Sequence, residues 1–271
     1  MNQIPNIMIG SFKIPSQNVM NDMISSAIEN NCLGFDTSPS YGTEHALGVA
    51  INRALISQQK RREDIFVSDK IDGIQMQKYK GRVRECVKES LMKVRCDYFD
   101  LVLIHWPFME YLDNTWYELS NLRKEGIINY IGICNVNEKK LNEIFSLIGE
   151  NPQVIQNEIS PLNYDYDVEI FKRKGIIVEA YSPLGRMIKP IRCSEILNKI
   201  ALKHNKNVGQ IILKWHIQRG IIPIFTSTDN NRIKSNLQIN DFKLDEEDMA
   251  NIRNMDKKYK IFPYSYGCPG Y

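Results

Sequence analysis

The stretch Gly34-Phe35-Asp36-Thr37-Ser38-Pro39-Ser40-Tyr41-Gly42-Thr43-Glu44 reads as the end of an apolar strand, a loop broken at Pro39, and a helix starting near Glu44. Thr43 stands where it can cap the first turn. An acid closes the strand and a phenol sits in the loop beyond it. Two further strands end in matching chemistry: Ile65-Phe66-Val67-Ser68-Asp69-Lys70 on an amine, and Leu101-Val102-Leu103-Ile104-His105-Trp106-Pro107 on an imidazole.

Outward from these units, strands and helical stretches alternate along the whole chain. Strands are expected at Asn6–Gly10 and up to Asp36, Lys70 and His105, then at Tyr130–Asn135, Val154–Glu158, Ile176–Tyr181 and Ile221–Phe225. Helical spacing of apolar residues predicts helices at 17–30, from Glu44 onward, and at 78–93 and 114–124. Another should start after an Asn137 cap, with more at 194–204, 208–218, 231–237 and 245–255. The helices outnumber the strands, so some are decorations. Each strand is followed by a helix, which implies parallel neighbours joined by crossovers. The strands are near-continuous Ile, Val and Leu runs, as two buried faces require. A closed (β/α)8 TIM barrel spanning residues 1–271 as a single domain is the economical α/β fold. The rival is an open doubly wound sheet, which carries a glycine fingerprint after its first strand. Here Gly10 is followed by Ser11-Phe12-Lys13, and G-x-G-x-x-G and P-loop motifs are absent.

With 43% hydrophobic and 25% charged residues, the composition is that of a globular protein. A net charge of +3 over 271 residues gives no nucleic-acid footprint. The densest basic run, Lys60-Arg61-Arg62, precedes Glu63-Asp64 and reads as a solvated turn. The six cysteines form no C-x-x-C pair and have no zinc-site spacing to histidine, so no metal site is expected. Scattered cysteines, no signal-peptide pattern and no membrane-length apolar run lead to the expectation of a cytoplasmic protein with no membrane partner.

In a barrel all strand C-termini share one rim, so Asp36, Lys70 and His105 converge, with Tyr41 close by. Singly, each has a plain structural reading: turn acid, solvated amine, packed ring, hydrogen-bonded core imidazole. Together they form a proton-transfer set. A phenol titrates near ~10, an ammonium beside it should lower that value, and a carboxylate should hold the ammonium charged. Such a phenol can protonate an oxygen that is becoming negative, and the histidine can hydrogen-bond the same oxygen. That equipment suits carbonyl reduction with hydride from a cofactor.

These residues resemble the catalytic tetrad of the aldo-keto reductase family, in its usual order: Phe35-Asp36-Thr37 with Tyr41-Gly42-Thr43-Glu44, then Lys70, then Leu103-Ile104-His105-Trp106-Pro107. The segments Gly132–Asn135, Gln156–Glu158, Ala180–Gly185 and Arg232–Asn236 resemble the family's cofactor segments. The resemblance covers nearly the whole chain. It implies a (β/α)8 barrel and an NAD(P)H-dependent oxidoreductase, a carbonyl reductase or alcohol dehydrogenase, with Tyr41 as general acid. It also implies NADPH as cofactor, with NADH possible, bound by Gly10, Ser11, Asp36, Cys134, Asn135, Gln156, Tyr181, Ser182, Leu184, Ser227, Arg232 and Asn236. In that set Asn135 and Gln156 hold the nicotinamide carboxamide and Tyr181 stacks on its ring. Ser182 and Leu184 follow the pyrophosphate, and Ser227, Arg232 and Asn236 surround the adenosine.

Several positions depart from the family pattern. Cys134 replaces a serine, Thr226 a lysine before Ser227, and Ser235 a glutamate before Asn236, while Phe12 stands for a tryptophan. The alternative function is a catalytically retired nucleotide-binding barrel that regulates a partner, but that would show a lost tetrad member. A metal-dependent hydrolase needs several strand-end ligands, whereas only His105 of four histidines lies at one. A small carbonyl substrate is expected, with Phe12, Trp106, Phe108 and Tyr111 as candidate pocket wall. The tail from Tyr259 to Tyr266 either covers the mouth or packs on the exterior.

Overall fold

Parallel strands close into one barrel in the computed structural model, which describes residues 3–262. The strands are β1 (Met8–Gly10), β2 (Gly34–Asp36), β3 (Phe66–Ile71), β4 (Phe99–Ile104), β5 (Ile128–Cys134), β6 (Val154–Glu158), β7 (Ile177–Tyr181) and β8 (Ile221–Phe225). Each pairs with the next in sequence, and β8 pairs back onto β1. Closure leaves no sheet edge open.

Alternation along the strands sorts the side chains. Ile9, Phe35, Val67, Val102, Ile104, Ile131, Ile133, Ile155 and Val178 belong to the core between barrel and helices. The opposite parity fills the barrel interior with Met8, Phe66, Leu101, Leu103, Cys134, Val154, Ile222 and Ile224. Asp36, Lys70, Gln156 and Glu179 share that inward parity, so the polar site continues the apolar interior layers toward the C-terminal rim. The outer layer packs closely. A Cβ at Gly48, on the helix Glu44–Ser57, would lie 2.2 Å from the carbonyl oxygen of Val94.

Local signals hold at several boundaries. Ser16 caps Gln17–Glu29 by accepting from Val19 N–H, and Asn137 caps Glu138–Ile148 by accepting from Lys140 N–H at 2.8 Å. Four expectations change. The stretch expected as one helix at 78–93 is split into Gly73–Lys78 and Val83–Val94, with Gly81 between them at φ 74°. The helix expected from Asn114 begins at Met109, because Leu112, Thr115 and Trp116 extend its buried stripe. Thr43 occupies the cap position but does not cap; its hydroxyl meets Ser11 Oγ at 3.0 Å instead. Arg62 is not merely solvated: its guanidinium donates to Asp100 at 2.8 Å and to Tyr98 O at 2.8 Å, tying the turn before β3 to β4. Among the described residues no helix is long and apolar enough to cross a membrane, and no group of three or more His, Cys, Asp or Glu residues could hold a metal ion.

Two buried carboxyls set the alkaline limit of stability. Asp69 points from β3 toward the helices; burial, reinforced by the charge of Glu44, pushes it up to about 8. Burial pushes Glu179, inside the barrel, up to about 7, against the hydrogen bond from Gln156. Both values lie above the unfolded ones. Their contribution is therefore fully present below the ordinary carboxylate range and is lost as pH rises through about 7 and about 8. The melting temperature should fall between about pH 5 and about pH 9 at constant ionic strength. Asp69→Asn should flatten that fall, measured by calorimetry; an unchanged slope would remove Asp69 from the account.

Candidate active site

Three strand ends supply the centre. Register aligns Asp36 of β2 with Ser68 of β3, and Lys70 lies one inward position beyond. The Lys70 ammonium, fully buried, donates to both Asp36 oxygens at 2.6 and 2.7 Å and to Thr37 O at 3.0 Å. Asp36 also accepts from Ser68 Oγ at 2.9 Å and Gln156 Nε2 at 3.2 Å. Gln156 gives its other N–H to Glu179 at 2.9 Å, so a buried polar chain runs from β7 to Lys70.

Tyr41 ends the short 3-10 turn Pro39–Tyr41, and Gly42 follows at φ 67°. Its ring lies 5.1 Å from the Lys70 nitrogen and 5.8 Å from the His105 ring. The expected lowering of its phenol does not result. Burial pushes the phenol above its ordinary value, and the charge of Lys70 pulls it down only in part. The charge of Asp36 adds to the rise, and a hydrogen bond with Lys70 works against it. Lys70 is itself raised: burial works against its charge, and Asp36 and Tyr41 outweigh that cost.

His105 follows β4. Its Nδ1 pairs with Asp72 and lies 3.3 Å from Ser38 Oγ. Asp72 was not foreseen from the sequence, and neither was Glu179. Burial works to raise the Asp72 carboxyl, but the hydrogen bond and charge of His105 bring it below its ordinary value.

The remaining candidates lie at strand ends, in the loops beyond them, or on the helix Asn230–Leu237. Asn135, at φ 60°, donates to His105 O at 2.9 Å and accepts from Tyr181 Oη at 2.7 Å. Cys134 is buried, and burial pushes its thiol well up. Gly10 and Ser11 close β1; the Ser11 hydroxyl is spent on Thr37 at 2.8 Å and Thr43, away from the centre. Thr226 donates to Gly10 O at 2.9 Å. Ser182 has φ 48° in the turn after β7, and Leu184 packs at the margin of the core. Ser227 bonds around Asp229, Asn236 is buried, and Arg232 is exposed and pairs with Asp229 at 3.2 Å.

Of the expected wall, Phe12 meets Tyr41 with ring centres 5.0 Å apart. Trp106 is buried, Phe108 covers Gly73, and Tyr111 faces Lys80. The chain's end returns to the mouth. Ile261 and Phe262 donate their backbone N–H groups to the two oxygens of Glu158 at 2.6 and 2.8 Å. Phe262 stands against Phe12 and Tyr181, with ring centres 6.1 and 6.2 Å apart. Pro263 to Tyr266, the rest of the proposed cover, lie outside the described residues.

Comparison with known proteins gives a consistent result. A family model described as "Aldo/keto reductase family" matches residues 6–257. Glyoxal reductase of Bacillus subtilis is 33% identical over 96% of this chain and 92% of its own length. A methylglyoxal reductase of Escherichia coli is 29% identical over 97% and 93%. Among solved structures, an aldo-keto reductase from a Medee basin deep-sea metagenome library superposes with TM-score 0.89 at 32% identity, covering 96% of this chain and 94% of its own. The Bombyx mori aldo-keto reductase, solved in complex with NADP, gives 0.89 at 29% identity over 97% and 93%. A match of this extent, over a closed barrel with an acid, phenol, amine and imidazole at one rim, shows that the chain belongs to the aldo/keto reductase family of oxidoreductases.

Proposed function

We propose that this enzyme reduces an aldehyde or ketone to an alcohol, or runs the reverse reaction, with NADPH as hydride source and Tyr41 as general acid. The observation that carries the reading is the buried Lys70–Asp36 pair beneath Tyr41, with His105 facing the same phenol. A site with no chemistry to perform gains little from such a pair, since buried ion pairs are weak sources of stability.

The side chains fit a nicotinamide. Asn135 and Gln156 retain amide capacity beyond their internal bonds: one donor and one acceptor lone pair on Asn135, and the carbonyl oxygen of Gln156. A carboxamide needs that set, and Tyr181 offers an aromatic face next to it. The bound cofactor would supply hydride to the carbonyl carbon. The protein's part is to complete the proton balance. Tyr41 gives its proton to the carbonyl oxygen, and the phenolate left behind is stabilised by the Lys70 charge. Burial keeps the phenol protonated between turnovers, so the donor is present at neutral pH. His105 orients the same oxygen. The named relatives act on glyoxal and methylglyoxal, which makes small dicarbonyls the first substrates to try. A panel of these and of aromatic aldehydes, assayed with NADPH and NADH in parallel, tests the reading. Cofactor binding without turnover of any carbonyl or alcohol would favour a regulatory barrel.

The adenosine end predicts a blunted preference for NADPH. Selecting the ribose phosphate takes cations, and Thr226, where the family carries a lysine, is neutral and bound to Gly10. Arg232 remains and suits a planar two-point grip on phosphate. In this structure its Nε donates to Asp229, a carboxylate whose charge opposes a phosphate held beside it. Arg232→Ala should erase most of the preference by weakening NADPH alone, and Thr226→Lys should sharpen it, both read by fluorescence titration. Equal loss for both cofactors in Arg232→Ala would show that Arg232 does not read the phosphate.

A further inference from the structure

The β3–β4 register sets Ile71 against Ile104, so the next residues, Asp72 and His105, stand opposite each other just past the sheet. One Asp72 oxygen takes the His105 Nδ1. The other accepts from Ser40 N–H at 3.1 Å and Ser38 Oγ at 3.4 Å. One carboxylate thus grips the imidazole and the turn that carries Tyr41. Among the described residues nothing hydrogen-bonds His105 Nε2.

From this geometry we propose that Asp72 is a positioning residue that fixes the proton of His105 on Nδ1 and holds the ring beside Tyr41, with Nε2 left for the substrate oxygen. The inference rests on the carbonyl-reductase reading of the site. With Nδ1–H given to Asp72, a neutral ring has only a lone pair at Nε2 and can accept from an alcohol but not donate to a carbonyl. Donation to a carbonyl oxygen needs a second proton, on Nε2, with the Asp72 carboxylate as the ring's counter-charge. The same ring form serves the reverse reaction, because the alcohol's one hydroxyl proton goes to the Tyr41 phenolate. Charged and titratable groups near the ring come from every neighbouring element. Asp72 follows β3, Tyr41 lies on the turn after β2, and Lys70 and Asp36 lie beneath on β3 and β2. Cys134 ends β5. Lys70 and Asp36 neutralise each other, which leaves Asp72 as the charge in contact with the ring.

Two measurements test this. In the cofactor-free protein, proton NMR should show a low-field imidazole N–H that exchanges slowly with water. It should vanish in His105→Asn, which assigns it, and in Asp72→Ala. Asp72→Asn removes the charge and keeps one carbonyl oxygen, enough for Nδ1–H but not for Ser40 N–H as well. Carbonyl reduction should lose kcat by about tenfold or more with little change in KM, as for a misplaced hydrogen-bonding group. Alcohol oxidation should lose kcat by a similar factor. A missing N–H signal in the parent, or an unchanged kcat in Asp72→Asn, overturns the proposal. A parent that shows the signal but turns over no carbonyl or alcohol would sink the enzymatic reading while leaving the Nδ1 assignment in place.

Discussion

Replacing Tyr41 by phenylalanine is expected to lower carbonyl reduction by roughly 10²-fold or more, the scale of a lost general acid. The hydroxyl is the only part removed. The ring still meets Phe12 and His105 edge-on, and the Pro39–Tyr41 turn is held by Ser38 and Asp72 through bonds that do not involve the phenol. Cofactor affinity, read by fluorescence titration, should therefore stay close to the parent's while the rate falls. A rate near normal in Tyr41→Phe would end the assignment of Tyr41 as the acid.

Lys70→Met should damage both rate and fold. The Asp36 carboxylate would keep Ser68 and Gln156 as donors but lose the only cation it touches among the described residues. Breaking a buried pair from one side costs about 3–5 kcal/mol. Denaturant unfolding should show that loss at neutral pH. Activity should fall as well, because the phenolate would lose its counter-charge while burial continues to disfavour it. Asp36→Asn combined with Lys70→Met removes both charges and should restore much of the stability but none of the rate. If the double variant is as unstable as the single one, the loss comes from packing and not from an orphaned carboxylate.

How far the chain could be read without coordinates follows from the kind of interaction involved. Strand order and closure were legible because each strand announces itself by apolar runs and each crossover by helical period. The convergence of Asp36, Tyr41, Lys70 and His105 was legible because strand ends of a parallel barrel converge by construction. Asp72 was not, since it meets His105 only once the register between β3 and β4 is known, and a slip of one residue would turn it outward. Glu179 read as part of a strand, and its place beside Gln156 depends on which parity faces inward. Thr43 shows the opposite failure: a sound local signal for a cap gave way to a tertiary partner, Ser11. The Tyr41 phenol failed by sign, because desolvation cannot be read from a list of neighbouring charges.

The Glu158 contact with the returning chain has an evolutionary consequence. Its carboxylate accepts from the main-chain N–H groups of residues 261 and 262, so this grip is blind to which side chains those positions carry, proline aside. The course of the strap is thereby inherited separately from its surface. Residue 262 can be exchanged against Phe12 and Tyr181 while the backbone keeps its path, so the mouth can acquire a new substrate range by single steps without disturbing the proton-transfer bed beneath it.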